Sequence, residues 1–355
     1  MLVGMGIGAL QSFRSLRRGE RRHTVTRKPD GIPWDIKPVP SRLISVGDVH
    51  GDIAGLSCIL AHCGLIDGKG RWSGGDAHLI LIGDLVGGKH TRLVLRFVMR
   101  LQREADAEGG AVHPLLGNRD IRFLYSGRLV DAVHRRSKGN GASKERGKTV
   151  RDMLGENSVL GGWAREQNAI IKIGPNIFTH AGLNAWASRH DPARINSTIR
   201  AWIRYWQGIS AAPDPRTQWV VLGPAAEWPT ASTGPLWTRS YRISKESEPR
   251  RGSAPSREEL SRILKKYRAL RMIIGHAPVD NGKILLSHPC YGPMVVMIDT
   301  SISRKKNGSL GYLEINGNHI QSRYVKRNQR GEKITGIERK RSKKSRMRSR
   351  ESLPA

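Results

Sequence analysis

Five times along this chain a short apolar run stops at a glycine with Asp, Asn or His beside it or two residues before it: RLISVGD (Arg42–Asp48), HLILIGD (His78–Asp84), VHPLLGN (Val112–Asn118), IFTHAGL (Ile177–Leu183) and RMIIGH (Arg271–His276). Short runs rich in Val, Ile and Leu that end at glycine have the pattern of strands buried on both faces. Between the first three, residues 52–63 and 90–106 carry apolar side chains at helical spacing. Strands alternating with helices predict an α/β architecture, a parallel or mixed sheet with helices outside. Ligands in such sheets collect at the carboxyl ends of strands, which is where each run delivers its polar residue.

Farther along, the apolar runs VVMIDT (Val295–Thr300) and GYLEI (Gly311–Ile315) predict further strands, and a Trp-rich stretch, Ala185–Trp206, predicts a helix. Two polar, charged segments with Gly, Ser or Pro, His134–Asp152 and Ser244–Glu259, read as surface loops. With 355 residues, 38% of them hydrophobic, the chain can bury a sizeable core. Three cysteines without a C-x-x-C pair indicate neither a disulfide framework nor a zinc ribbon. No apolar run approaches the ~20 residues that cross a bilayer.

Charge is the outlying property. Sixty-one Lys and Arg against 30 Asp and Glu give a formal net charge of +31, which points to a polyanionic partner such as RNA. Residues 1–40 form a basic leader and linker; Arg14, Arg17, Arg18, Arg21 and Arg22 among apolar residues at helical spacing predict a mitochondrial transit peptide. Residues 41–325 are expected to form one domain. Residues 326–355, with twelve basic residues against three acids and no apolar period, read as a disordered tail that binds polyanions together with the 134–152 loop.

Taken in order, the strand ends read GDVHGD (Gly47–Asp52), GDLVGGKH (Gly83–His90), GNRD (Gly117–Asp120), THAGL (Thr179–Leu183) and GHAP (Gly275–Pro278). Hard oxygens and imidazoles of this kind suit divalent first-row metals. A lone Gly-Asp after a strand is usually a turn and a lone buried His usually a core residue. Five such ends in order specify much more.

This ordered set resembles the calcineurin-like metallophosphoesterases, and within them the PPP-type protein phosphatases, whose series is GDxHG, GDxVDRG, GNHE, a His before AG or GG, then GH. The segments GPLWTRSY (Gly234–Tyr241), IIGHAPVDNGKI and VVMIDTSIS extend the likeness, which looks strongest toward the Shewanella-like protein phosphatases. The resemblance implies two mixed β-sheets packed face to face and flanked by helices, a phosphoester substrate, and two divalent ions (Mn, Fe or Zn) carrying the attacking hydroxide. It assigns Asp48 and His50 to the first ion, Asp84 to the bridge, and Asn118, His180 and His276 to the second, with Arg239 on the substrate phosphate.

Two departures stand out. Gly87-Gly88-Lys89 replaces the family's Asp-Arg-Gly, and Arg119 replaces the His of GNHE, so the motif reads Arg119-Asp120. The resemblance implies that the absent His is the general acid, oriented by the absent Asp, and that the absent Arg grips phosphate. Loss of a general acid typically costs about 10² to 10⁴ in rate, ~3 to 5 kcal/mol. Arginine cannot donate a proton near neutral pH, yet Arg119 with Lys89 or His90 can hold an oxyanion. Two functions follow as expectations: a metal-dependent phosphoester hydrolase with an altered acid and phosphate-grip site, or an impaired pseudophosphatase serving as an RNA-binding or structural part of an organellar ribonucleoprotein.

Overall fold

The computed structural model describes residues 32–88, 90–126, 157–184, 187–213, 234–243, 254–303 and 308–326. The leader up to residue 31, the 134–152 loop, Lys89 and the tail from 327 lie outside them.

In chain order the elements are β1 (Asp35–Ile36), β2 (Arg42–Val46), α1 (Ile53–His62), β3 (His78–Leu81), α2 (Thr91–Ala107), β4 (Ala111–Pro114), α3 (Asn118–Ser126), α4 (Val159–Arg165), β5 (Ile170–Ile173), β6 (Asn176–Thr179), α5 (Pro192–Trp206), α6 (Arg257–Lys266), β7 (Arg271–Ile274), β8 (Val295–Met297), β9 (Leu310–Asn316) and β10 (His319–Val325). They build two mixed five-stranded sheets, ordered β1-β5-β6-β7-β8 and β10-β9-β2-β3-β4. Alternate strand residues divide between two cores. Leu43, Ile80 and Leu313 of one sheet meet Ile171, Phe178, Ile273 and Val296 of the other in the layer between them. Their neighbours Ile44, Leu79, Leu81, Ile170, Ile177 and Met272 belong to a larger cluster with the helices. The α/β architecture expected from the alternation of strands and helices, and the two mixed sheets implied by the resemblance, are the fold observed.

Strands β2, β3 and β4 run parallel, as do β6, β7 and β8. Their carboxyl ends therefore lie along one edge of each sheet.

Several boundaries differ from the periodicity. The third run leaves the sheet at Pro114, and residues 115–117 form the turn into α3. The Trp-rich helix starts at Pro192 rather than Ala185, because proline fits the first helical position and the Asp191 carboxylate accepts the Ala193 N–H at 2.7 Å. Within the segment read as a loop to Glu259, α6 begins at Arg257, closed by a reciprocal capping box between Ser256 and Glu259. Ahead of residue 41, in the stretch read as linker, β1 joins the edge of the first sheet, where Lys172 bonds the Trp34 carbonyl through its N–H at 2.6 Å and Asp35 through its ammonium at 2.8 Å.

Candidate metal centre

Six side chains converge where the strand ends of the two sheets meet. Asp48 and His50 follow β2, Asp84 follows β3, Asn118 opens α3, His180 follows β6 and His276 follows β7. Close backbone approach makes this possible. A Cβ on Gly275 would stand 2.3 Å from Asp48 Oδ1, and one on Gly117 would stand 2.4 Å from Asp84 Oδ1, so only glycine fits at either place. His50, Asp84 and His276 all hold left-handed backbone, with φ of 47°, 49° and 64°.

The donor atoms face one another. Ligand atoms of Asp48, His50 and Asp84 lie within 4.8 Å of each other. His50 Nε2 is 3.7 Å from Asp48 Oδ2, and its Nδ1 is 3.8 Å from Asp84 Oδ2. On the other side His180 Nε2 meets Asn118 Oδ1 at 3.1 Å, His276 Nδ1 at 3.1 Å and Asp84 Oδ1 at 3.5 Å. His180 Nδ1 lies 2.9 Å from the Ile82 carbonyl, which only accepts, so Nδ1 donates there. Its Nε2 is left facing two oxygen acceptors, Asn118 Oδ1 and Asp84 Oδ1, a grouping of donor atoms that suits a cation. Buried His50 Nδ1 and His276 Nε2 have no hydrogen-bond partner.

Electrostatics point the same way. Burial raises the Asp48 carboxyl well above its usual range, and the charges of Asp299 and Asp84 push it further, against the His276 N–H that bonds it at 3.1 Å. Burial lowers His50 to about 4, aided by Arg119 and opposed by Asp84. Burial, then His180 and Arg239, lower His276 to about 2, opposed by the Trp237 backbone and aided least by Arg119. Clustered carboxylates and neutral imidazoles are the form in which these groups bind metal. The residues present fit divalent ions.

Around the centre, Arg119 is exposed at the start of α3; its backbone N–H donates to Asp84 Oδ1 at 2.8 Å and its Nε stands 3.4 Å from Asp84 Oδ2. A Cβ on Gly87, whose φ is 144°, would meet Arg119 Nη1 at 3.4 Å. The guanidinium thus lies over the glycine segment. Asp120 is buried and bonds backbone through both oxygens, Val86 N–H at 3.1 Å and Gly117 N–H at 2.8 Å, tying the β3 and β4 turns together. Burial and Asp84 lift its carboxyl to about 7. His90 stands at the N-cap of α2. Arg239 is exposed on a segment pinned by the Ala181 N–H to the Pro235 carbonyl at 2.8 Å and by the Tyr241 hydroxyl, which donates to the Leu183 carbonyl.

Two features of this neighbourhood were not read from the sequence. Asp299, buried just past β8, adds its charge to Asp48; the carboxylate closing VVMID was its signal. Arg122, one turn after Arg119, stacks on Trp237 with the guanidinium carbon 4.6 Å from the ring centre, a tertiary contact without a local signature.

No family model matches the chain. It is similar to Shewanella-like protein phosphatase 2 of Arabidopsis thaliana, 24% identical over 285 residues that cover 68% of each chain. An uncharacterized protein of Schizosaccharomyces pombe matches at 24% over 306 residues, 80% of each chain, and Shewanella-like protein phosphatase 1 of Plasmodium berghei at 33% over 94 residues, 26% of this chain and 25% of the other. Among solved structures, the cold-active protein-tyrosine phosphatase of a psychrophilic Shewanella species superposes with a TM-score of 0.63 at 21% identity, over 86% of this chain and 84% of that one. A protein serine/threonine phosphatase of Saccharomyces cerevisiae does so with a TM-score of 0.50 at 11% identity, over 92% and 91%.

Proposed function

We propose that the chain is a calcineurin-like metallophosphoesterase, related to the Shewanella-like protein phosphatases it resembles in sequence, and that it is a metal-dependent phosphoester hydrolase whose leaving group departs without a proton. The observation that carries this reading is the grouping of donor atoms around His180 Nε2, with Asp84 shared between the Asn118–His180–His276 side and the Asp48–His50 side. Asp48, His50, Asp84, Asn118, His180 and His276 would hold divalent ions there, and the chemistry such ions would supply is activation of a water and stabilisation of phosphoryl charge. Arg119 and Arg239 orient the phosphoryl group by charge-assisted hydrogen bonds. Asp120, with both oxygens on backbone, keeps the turns in register. Neither Arg119 nor either glycine at 87 and 88 can protonate a departing alkoxide, so aryl phosphates and activated diesters are the favoured substrates.

Metal analysis of the purified protein, joined to a panel of alkyl monoesters, aryl monoesters and diesters, tests this. Bound Mn, Fe or Zn and turnover that rises with leaving-group acidity are expected. A protein that stays metal-free on reconstitution with Mn refutes the reading.

A second reading has one property in its favour, the net charge of +31. In it the domain is an impaired phosphatase that binds RNA inside an organellar ribonucleoprotein. RNA that co-purifies, with no turnover on any ester, would select it.

A further inference from the structure

Arg239 is the one exposed residue of the segment 234–241, and the chain on either side of it is fastened to the turn that follows His180. Ahead of it, the Pro235 carbonyl accepts the Ala181 N–H at 2.8 Å. Behind it, the Tyr241 hydroxyl donates to the Leu183 carbonyl, and the ring lies so close over Gly182 that a Cβ there would collide with it. Between these ties the backbone turns on itself: the Trp237 and Thr238 N–H groups both reach the Gly234 carbonyl at 3.1 Å. The Tyr241 backbone is held from another direction, by His288 of the β7–β8 connection. His288 Nδ1 accepts the Cys290 N–H at 3.1 Å, so the hydrogen of the neutral ring is on Nε2, which donates to the Tyr241 carbonyl at 3.0 Å. The His288 backbone is fixed in turn, since its N–H and carbonyl exchange hydrogen bonds with Gly292 at 2.9 and 2.7 Å. Tyr291 fills the corner, its ring centre 4.9 Å from that of His288 and 5.4 Å from that of Tyr241, with its hydroxyl on the Pro255 carbonyl at 2.8 Å. All three rings are buried.

We infer that His288 is a positioning residue for Arg239: by holding the Tyr241 carbonyl it fixes the backbone two residues past the arginine, and with it the direction in which the guanidinium is presented over the His180 turn. This rests on the reading of Arg239 as a phosphate ligand and adds what aims it. A guanidinium grips an oxyanion as a planar fork, and a fork binds well only when it is aimed. Its long, flexible stem already loses rotamer freedom on binding, and a backbone free to shift beneath it would add to that loss. His288 itself does not reach for substrate, because both of its ring nitrogens are engaged by backbone groups. Its effect on phosphate therefore passes through Arg239.

The test is calorimetric titration of the Mn-loaded protein with inorganic phosphate, in a double-mutant cycle between positions 288 and 239. Arg239→Gln should weaken phosphate at least about tenfold, the worth of a charge-assisted hydrogen bond. His288→Asn keeps an acceptor near the place of Nδ1 and loses the Nε2 donor. It should weaken phosphate roughly threefold or more beside Arg239 and have no further effect in Arg239→Gln, where no guanidinium is left to aim. His288→Gln, whose amide nitrogen falls near the place of Nε2, should recover most of the loss. If circular dichroism shows His288→Asn unfolded, Tyr241→Phe, which removes the tie to Leu183, takes its place in the same cycle. A weakening of equal size in both backgrounds is a general structural effect and overturns the inference, as does wild-type affinity in the folded variant. Wild-type affinity in Arg239→Gln overturns the phosphate role of Arg239 and this inference with it, and leaves the metal-dependent hydrolase reading standing. A metal-loaded wild type that binds no phosphate overturns both.

Discussion

Arg119 reaches Asp84 twice, through its backbone N–H on Oδ1 at 2.8 Å and through Nε at 3.4 Å from Oδ2. Any residue at 119 except proline keeps the first contact, because the backbone supplies it. The second belongs to arginine and fills the space above Gly87. Substitutions at 84, 87, 88 and 119 are therefore coupled.

Asp84→Asn should preserve the fold and lose metal. The amide oxygen still accepts the Arg119 N–H, whereas the negative charge shared between the two ligand groups is gone. Metal affinity should fall by more than the roughly 10- to 100-fold typical of outer-shell changes. Stoichiometry by elemental analysis and unfolding temperature, measured with and without Mn, check it: a variant that still gains wild-type stabilisation from Mn removes Asp84 from the site.

Rebuilding an acid site requires four changes together: Gly87→Asp, Gly88→Arg, Lys89→Gly and Arg119→His. Gly87→Asp alone would set a carboxylate against the Arg119 guanidinium, 3.4 Å from the new Cβ, at a φ of 144° that side chains rarely adopt. The combined variant, if circular dichroism shows it folded, should hydrolyse alkyl monoesters about 10²-fold faster or more, the return expected of a positioned acid, and single reversions little. A folded, metal-loaded variant no faster than wild type would show that the acid is not what limits this site.

Glu314 should govern part of the acid stability. Burial alone would raise its carboxyl, but hydrogen bonds and charge from Arg42 and Arg323 outweigh that and hold it below its ordinary value. Arg42 Nε bonds Oε1 at 2.9 Å, and Gln321 Nε2 bonds Oε2 at 3.1 Å. A depressed folded pKa means that the unfolded chain binds the proton more tightly. The stabilisation is therefore complete above the unfolded value of about 4.3 and is lost as pH falls through the lower, folded one. Glu314→Gln should be destabilised by about 1–3 kcal/mol at pH 7, and the gap to wild type should close below pH ~4. Denaturant melts at pH 7, 5 and 3.5 decide it; a gap constant across them rules the linkage out.

Removal of residues 327–355 should weaken RNA binding in low salt. The segment is dense in Lys and Arg, and affinity that depends on counterion release falls steeply as salt rises. Filter binding at several salt concentrations should give a shallower slope for the truncated chain. An unchanged slope would assign the tail's charge to solvation alone.

Reading from sequence reached what is local. Each strand end was visible because a buried run and its Gly–polar stop occupy consecutive residues, and parallel strands bring consecutive stops to one edge without further information. Asp48, His50, Asp84, Asn118, His180 and His276 thus come together as the motif series suggested. What depends on tertiary placement was invisible: Arg119 lying on Asp84, Arg122 on Trp237, Asp299 behind Asp48, and Asp120 turned to backbone. The start of α6 was visible in principle, since Ser256 and Glu259 spell a capping box, but the charged, Pro-bearing segment before it masked the signal.

Left-handed backbone at His50, Asp84 and His276 carries a consequence for how the chain drifts. Each such residue costs about 1 kcal/mol or more relative to glycine at the same angles. If selection acted on folding alone, a library of random variants would gain thermostability by turning these three positions to glycine, and they would be among the first to erode. Selection for a loaded site would reverse the ranking, making them the least tolerant positions in the molecule. Deep mutational scanning under the two regimes separates a working centre from a relic without knowledge of any substrate.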